Sequence, residues 1–268
     1  MKPDKATDFD LASLDLIDRH PKAVCVLHEK GERKLPVHQH LKGQLTYVEG
    51  GIAYVHLVDK TFVIPARHYI WIPKGQIHQL RIRHIATDVR SIYFYSHDDN
   101  KDPFYTKMGI YPVNRLLHEM IVYTASFATE AFPGSEEFQF LSSLKNMLPR
   151  ISKIPLPFVV PTSQNERLRP IIDYISDHIS QPLSLADVSK HFNMSERTVS
   201  RLFQAELSIS FLQYLKQRRI IKGTELMLHT RANLTEIAYE TGYQSLSAFS
   251  ATFQQMMHMR PSEFMANI

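Results

Sequence analysis

The C-terminal part of the chain carries one pattern twice. Residues 185–203 read LADVSKHFNMSERTVSRLF, and residues 234–253 read LTEIAYETGYQSLSAFSATF. Leu185, Val188, Ser189, Val199 and Phe203 of the first answer to Leu234, Ile237, Ala238, Phe249 and Phe253 of the second, whose turn is one residue longer. Each copy is two short amphipathic segments around a turn, with a small residue (Ser189, Ala238) where two helices would cross closest. That is the sequence form of a helix-turn-helix unit, whose second helix enters the major groove of DNA. A tandem pair joined by a third helical segment restricts this part of the chain to an all-α fold.

Local signals agree with the pattern. Ser184 is placed to cap the first helix, with Asp187 three residues on as a capping-box partner. Asn193 and Gly242 stand where the turns need left-handed backbone, and Ser195 caps the second helix of the first copy. Once Val199, Leu202 and Phe203 face inward, the outer face holds Glu196, Arg197, Ser200, Arg201 and Gln204. Arginine is the commonest specific reader of guanine, so Arg201 is the leading candidate for base recognition, with Arg197 beside it. In the second copy Gln244, Ser245, Ser247, Ser250, Ala251 and Gln254 lie outward, and Ala251 takes the place of Arg201. The second helix is therefore expected to position on phosphate more than it reads bases. From Asn165 onward Lys and Arg nearly balance Asp and Glu, so composition alone does not mark a nucleic-acid binder. The positive charge is instead local, at Arg197 and Arg201 and at Lys216, Arg218, Arg219 and Lys222 of the joining segment.

The two copies, the joining segment SFLQYLKQRRIIKGTELML and the closing RPSEF resemble the DNA-binding domain of AraC/XylS-type transcriptional regulators over about 100 residues. The resemblance implies a bridging helix that holds two recognition helices for successive major grooves, about 34 Å apart. Gly223 stands where that family usually has Ala, which should soften the bridging helix by up to ~1 kcal/mol. Ser208 and His258 each replace a usual Gly just beyond a helix.

The N-terminal part reads differently. Segments such as AVCVLHE, QLTYVEG, IAYVHLV, TFVI and SIYFYS, punctuated by turn residues, predict short strands in a sandwich or barrel. Leu116, Leu117, Met120, Ile121 and Tyr123, then Phe138, Leu141, Leu144 and Leu148, recur at helical spacing. These two helices carry more apolar surface than a small barrel needs. Leu116, Met120, Leu141 and Leu144 are accordingly expected to pack a second subunit. Residues 149–161 (PRISKIPLPFVVP) read as an extended linker, which divides the chain into domains at 1–155 and 163–268.

Residues 36–50 (PVHQHLKGQLTYVEG) and 71–78 (WIPKGQIH) resemble the two cupin motifs, in which histidines and a carboxylate converge on a metal inside a small β-barrel. His38, His40 and His78 match the histidine positions, and Gln44 takes the carboxylate's place. His38 and His40, two apart on a strand, point to the same face. Such a set suits a divalent transition metal, Zn, Ni, Fe or Cu. The alternative is a small-molecule pocket lined by Gln44, Tyr47, Trp71 and His78. The remaining histidines named for comparison, His20, His28, His56, His68, His84 and His97, are scattered.

The reading is an α+β two-domain chain, with a cupin-like barrel and flanking helices followed by an all-α tandem helix-turn-helix domain. Its expected partners are promoter DNA, a small-molecule or metal effector, a second copy in a homodimer and, for an activator, RNA polymerase. No apolar run approaches the roughly 18 residues of a membrane span, and the single cysteine, Cys25, fits a cytoplasmic protein. Neither cupin motif holds an acid except Glu49, and no Ser-His-Asp or Cys-His set is present. An enzyme is therefore not expected. A metal-dependent cupin enzyme fused to a DNA reader is the alternative.

Overall fold

The computed structural model describes residues 14–82, 88–163 and 165–266. They fall into two compact units, one of residues up to 57 with 64–156, the other of 58–63 with the chain from 157 on.

In the first unit a six-stranded antiparallel sheet runs in the order β10-β1-β8-β3-β6-β9. Its members are β1 (Val24–Lys30), β3 (Gly43–Gly50), β6 (His68–Ile72), β8 (Asp88–Phe94), β9 (Gly109–Pro112) and β10 (Glu130–Ala131). A smaller ladder joins β2 (Arg33–Lys34), β4 (Ile52–His56) and β7 (Gln79–Ile82). Among the described residues the strands lie in two sheets that do not close on one another. Register assigns the faces. Leu45 pairs Trp71 and Tyr47 pairs Tyr69, whereas Gln44 pairs Ile72 and Tyr93, and Thr46 pairs Ser91. Because side chains alternate, the aromatic set and the polar set point to opposite sides.

The aromatic side is covered by α1 (Arg115–Tyr123) and α2 (Glu136–Ile151). Leu117, Ile121, Leu141, Leu144 and Leu148 are buried there with Tyr47, Tyr69, Trp71 and Phe94. Leu141 and Leu144 thus fill the core of their own unit, contrary to the expectation that they pack a second subunit. Met120 packs at the edge of this core, while Leu116 stays 57% exposed. The helix also continues through Pro149, which the sequence placed at the start of a linker. Proline has no N–H to give the carbonyl of Lys145, and the Tyr105 hydroxyl donates to that oxygen instead, at 2.8 Å. The Lys145 ammonium, fully buried, donates to the Tyr95 carbonyl (2.6 Å), Asp98 Oδ1 (2.6 Å) and Asp99 Oδ1 (2.8 Å).

In the second unit β11 (Val159–Pro161) pairs residues 60–62 of β5 (Lys60–Pro65), so part of the expected linker is a strand. Seven helices follow: α3 (Arg169–Asp177), α4 (Leu185–His191), α5 (Glu196–Leu207), α6 (Phe211–His229), α7 (Leu234–Glu240), α8 (Leu246–Met257) and α9 (Pro261–Ala266). Capping boxes open three of them, Ser184 with Asp187, Ser210 with Gln213 and Asn233 with Glu236. Asn193 (φ 53°) and Gly242 (φ 81°) make the two turns in left-handed backbone, as expected. Val188, Val199 and Phe203 form the core of one helix pair, and Ile237, Phe249 and Phe253 that of the other.

The bridging helix α6 buries nine of its residues. At Gly223 an added Cβ would lie 2.9 Å and 3.1 Å from ring carbons of the buried Phe249. Glycine there therefore buys a close approach to α8 and is more than a soft spot in the helix.

Two stability predictions follow from this packing. Gly223→Ala gains up to ~1 kcal/mol of helix propensity but must displace a buried ring, an overpacking that costs ~1–3 kcal/mol. Urea unfolding followed by circular dichroism should show no stabilisation; a gain near 1 kcal/mol would refute the close-packing account. Lys145→Met leaves two carboxylates facing a position without charge and should cost about 3–5 kcal/mol. Trp71, the only tryptophan, lies in the same core and supplies the fluorescence signal.

Candidate nucleic-acid interface and histidine cluster

The second helix of each pair presents a polar face. On α5 Arg197, Ser200, Arg201 and Gln204 are exposed, and among the described residues neither arginine is held in an ion pair. The face is aimed by the cap: Ser195 Oγ accepts the N–H of Thr198, fixing where α5 begins. On α8 Gln244, at its N-terminal approach, and Ser247, Ala251 and Gln254 are exposed. Ser245 Oγ accepts the N–H of Ala248 as the cap, and Ser250 is half-buried, so these two offer less to a ligand than the sequence suggested. The segment LSAFSATFQQMM that forms α8 has no charged residue.

The bridging-helix charges do other work than sequence suggested. Arg218 Nη2 donates to Ser176 Oγ of α3 at 3.2 Å. Arg219 Nη2 donates to the Gln181 carbonyl at 2.8 Å and its guanidinium lies 5.6 Å over the Tyr243 ring. Burial lowers the arginine's pKa from its ordinary value. These two side chains stitch helices together, whereas Arg197 and Arg201 stay exposed on α5. Lys222 lies 4.0 Å from Glu225, and Lys216 is half-exposed.

In the first unit His38, His40 and His78 come together, with candidate ligand atoms all within 4.8 Å of one another. His38 and His78 face each other across an isolated β-bridge, and their ring centroids are 4.4 Å apart. Each ring gives its Nδ1–H to a nearby main-chain carbonyl, His38 to Pro36 (2.9 Å), His40 to Lys42 (2.6 Å) and His78 to Gln76 (2.8 Å). That leaves the three Nε2 lone pairs facing inward. Those of His38 and His78 are buried without a hydrogen-bond partner. Burial, reinforced by His38, pushes His78 down to about 3, and burial lowers His38 and His40 as well, so the imidazoles are neutral near pH 7.

Gln44 belongs to this cluster, as the motif implied. Its Oε1 lies 2.9 Å from His40 Nε2, while its Nε2 donates to Thr46 Oγ1 (2.7 Å) and to the Tyr93 hydroxyl (3.2 Å). With the His40 proton on Nδ1, two acceptors face one another across that 2.9 Å gap. A cation ligated by both from one side, or a reversed amide, would resolve the conflict. Thr46 in turn bonds Ser91 at 3.0 Å. Thr46, Ser91 and Tyr93 extend the cluster but carry no motif; only strand alternation from Gln44 could have found Thr46.

Gln44, Tyr47, Trp71 and His78, expected to line an organic pocket, do not all come together. Tyr47 and Trp71 occupy the helix-covered face, where Trp71 Nε1 donates to the Tyr105 carbonyl at 3.0 Å and its ring packs on Phe94, Phe104 and Tyr105. Gln44 and His78 stay with the histidine cluster. Elsewhere His20 bonds Glu130 at 2.8 Å, and burial holds His68 down to about 4. His84 lies outside the described residues. Among the described residues, no helix is long and apolar enough to cross a membrane.

Comparison with known proteins bears on both units. Residues 188–267 match the family model described as a helix-turn-helix domain. The chain is 24% identical to the HTH-type transcriptional regulator NimR of Escherichia coli (strain K12), over 94% of this chain and 90% of that protein. It is 40% identical to the uncharacterized HTH-type transcriptional regulator YfiF of Bacillus subtilis (strain 168), over 34% of this chain and 29% of that protein. Among solved structures, ToxT from Vibrio cholerae is similar at 16% identity and a TM-score of 0.38, covering 91% of this chain and 98% of that one. The duplicated helix pairs and the family match over them together identify residues 188–267 as an AraC-type helix-turn-helix domain, and the chain that carries it is a DNA-binding transcriptional regulator.

Proposed function

We propose that the chain is a one-component cytoplasmic regulator in which a cupin-like N-terminal domain, residues 1–155, senses a small molecule or a divalent metal ion. The domain at 163–268 then reads promoter DNA. The observation that carries the sensing half is the convergence of three neutral imidazoles, with candidate ligand atoms within 4.8 Å of one another and the Nε2 atoms of His38 and His78 without a partner. Main-chain carbonyls fix all three tautomers, the outer-shell arrangement that metal-ligating histidines use. Buried acceptors without donors fit a cation, and His38, His40, His78 and Gln44 would hold it. An uncharged N₃O set suits Zn, Fe, Ni or Cu. Bound there, the ion would supply Lewis acidity and a coordination point for an effector bearing oxygen or nitrogen. Thr46 and Tyr93 hold the Gln44 amide in place, and His40 and His78 are buried.

For the DNA half, Arg197, Ser200, Arg201 and Gln204 of the first recognition helix reach base edges and phosphates, and Gln244, Ser247 and Ala251 of the second lie in the adjacent groove. Ser245 and Ser250 serve mainly to set the helix. Two copies pair through the outer face of α1, where Leu116 and the 60% exposed Tyr123 flank Met120. Occupancy of the histidine cluster shifts the populations of the paired arrangement and so the half-sites that the pair spans; RNA polymerase is the further partner if the outcome is activation. No catalytic role is assigned to the chain.

Two measurements test this reading. Protein purified without chelator should carry about one transition-metal ion per chain, and a His38→Ala/His78→Ala variant should carry none. Metal-free wild type would remove the ion from the proposal, and oxygen consumption by the loaded protein would move it towards the enzyme alternative. Arg201→Ala should weaken binding to the specific site by about 1–3 kcal/mol and leave binding to random duplex nearly unchanged. An equal loss on both would assign Arg201 to phosphate contact alone.

A further inference from the structure

We propose that the two recognition helices read half-sites of different base composition. Helix α5 takes a block with G·C pairs, contacted by Arg197 and Arg201, and α8 takes an A·T block, contacted by Gln244, Ser247 and Ala251. The inference rests on the regulator reading above and names the DNA that this domain selects.

The comparison between the helices is like for like because the same devices frame both. Ser195 and Ser245 cap their starts, and Ser208 (φ 57°) and His258 (φ 56°) end them in the same left-handed backbone. Val199 and Phe203 are buried on one as Phe249 and Phe253 are on the other. Arg197 therefore corresponds to Ser247, Arg201 to Ala251 and Gln204 to Gln254, and each of these six is exposed. One face offers two guanidinium forks; the other offers amides, a hydroxyl and a methyl group.

Base edges distinguish these chemistries. A guanidinium fork matches guanine O6 and N7, a glutamine amide matches adenine N6 and N7, and an alanine methyl packs on the thymine methyl. With no cation anywhere on α8, a guanine there would meet no arginine partner. The same absence means that α8 side chains release no counterions, so most of the salt dependence belongs to the rest of the domain. Assigning the uncharged side chains of α8 to base edges departs from the expectation that the second helix positions on phosphate more than it reads bases.

Selection of bound duplexes from a randomised library, using the full chain, tests the assignment. The wild type should enrich a bipartite motif with guanine in one block and A·T pairs in the other, their centres about 10 base pairs apart. Arg201→Ala should erase a guanine preference from the first block only and lower affinity for the selected site by about tenfold to a hundredfold. Ala251→Arg, an exposed position whose folding is checked by circular dichroism, should create a guanine preference in the second block. Guanine in both wild-type blocks, a second block without base preference, or an Ala251→Arg motif identical to wild type would each overturn the inference and leave the regulator reading standing. No enrichment by the wild type, with or without transition metal, would overturn the regulator reading as well.

Discussion

The C-terminal unit depends on one helix being packed from two directions at once. Near its N-terminal end α6 receives the first helix pair, with Phe203 set 5.6 Å from Phe211 and 5.4 Å from Tyr214 between ring centroids. Further along, Gly223 lets Phe249 of the second pair come so close that no side chain fits between. A helix buried on both flanks cannot be judged by its propensity. Glycine is a poor helix former, yet at this position the packing that it permits outweighs the entropy it costs. Arg218 and Arg219 finish the task with hydrogen bonds to α3 and to the Gln181 carbonyl. The outer faces of α5 and α8 are released from structural duty as a result, and they are free to differ.

In the N-terminal unit the equivalent constraint is the two-residue period of β3. Leu45 and Tyr47 go to the aromatic core under the helices, and Gln44 and Thr46 go to the side that holds the histidines. A single strand therefore packs the aromatic core with one face and lines the histidine cluster with the other. The aromatic face is closed by α2, whose buried Lys145 bonds two carboxylates and a carbonyl. Such an ion cluster is a weak source of net stability but a strict one of geometry, because any other docking of α2 would strand a charge in the core.

How much of this was legible in the sequence depends on how far each signal reaches. The caps at Ser184 and Ser195 and the turns at Asn193 and Gly242 are local, set by a few neighbouring residues, and the sequence alone reveals them. The histidine convergence was readable too, because two motifs with fixed spacing carry it. Interactions between distant segments were not. Pro149 looks like a helix end until Tyr105 is seen donating to the carbonyl that the proline abandons. Leu141 and Leu144 look like interface residues until a sheet built from distant strands covers them. Arg218 and Arg219 resemble a basic surface because sequence gives the charge but not its partner. Tyr47 and Trp71 look like pocket neighbours of Gln44 although strand parity alone separates Tyr47 from Gln44. That parity becomes decisive only once both faces of the strand are known to be buried.

The two candidate sites share a physical signature despite their opposite surroundings: their groups are withheld from structural bonds. In the histidine cluster this is costly, since a buried acceptor without a donor forfeits about 1–3 kcal/mol. Two such atoms, on His38 and His78, would be selected against in a purely structural sheet, and here the surrounding carbonyls hold them in the tautomer that keeps them bare. On α5 the withholding costs almost nothing, because water solvates Arg197 and Arg201 until another partner displaces it. A ligand that satisfies the first set stabilises the conformation in which those atoms converge by more than it stabilises any other, and that difference is what a sensor needs. The exposed arginines need no such reward and can stay poised in every state. On the proposed reading, the fold places its conformational leverage in the buried cluster and its recognition chemistry where solvent keeps it available.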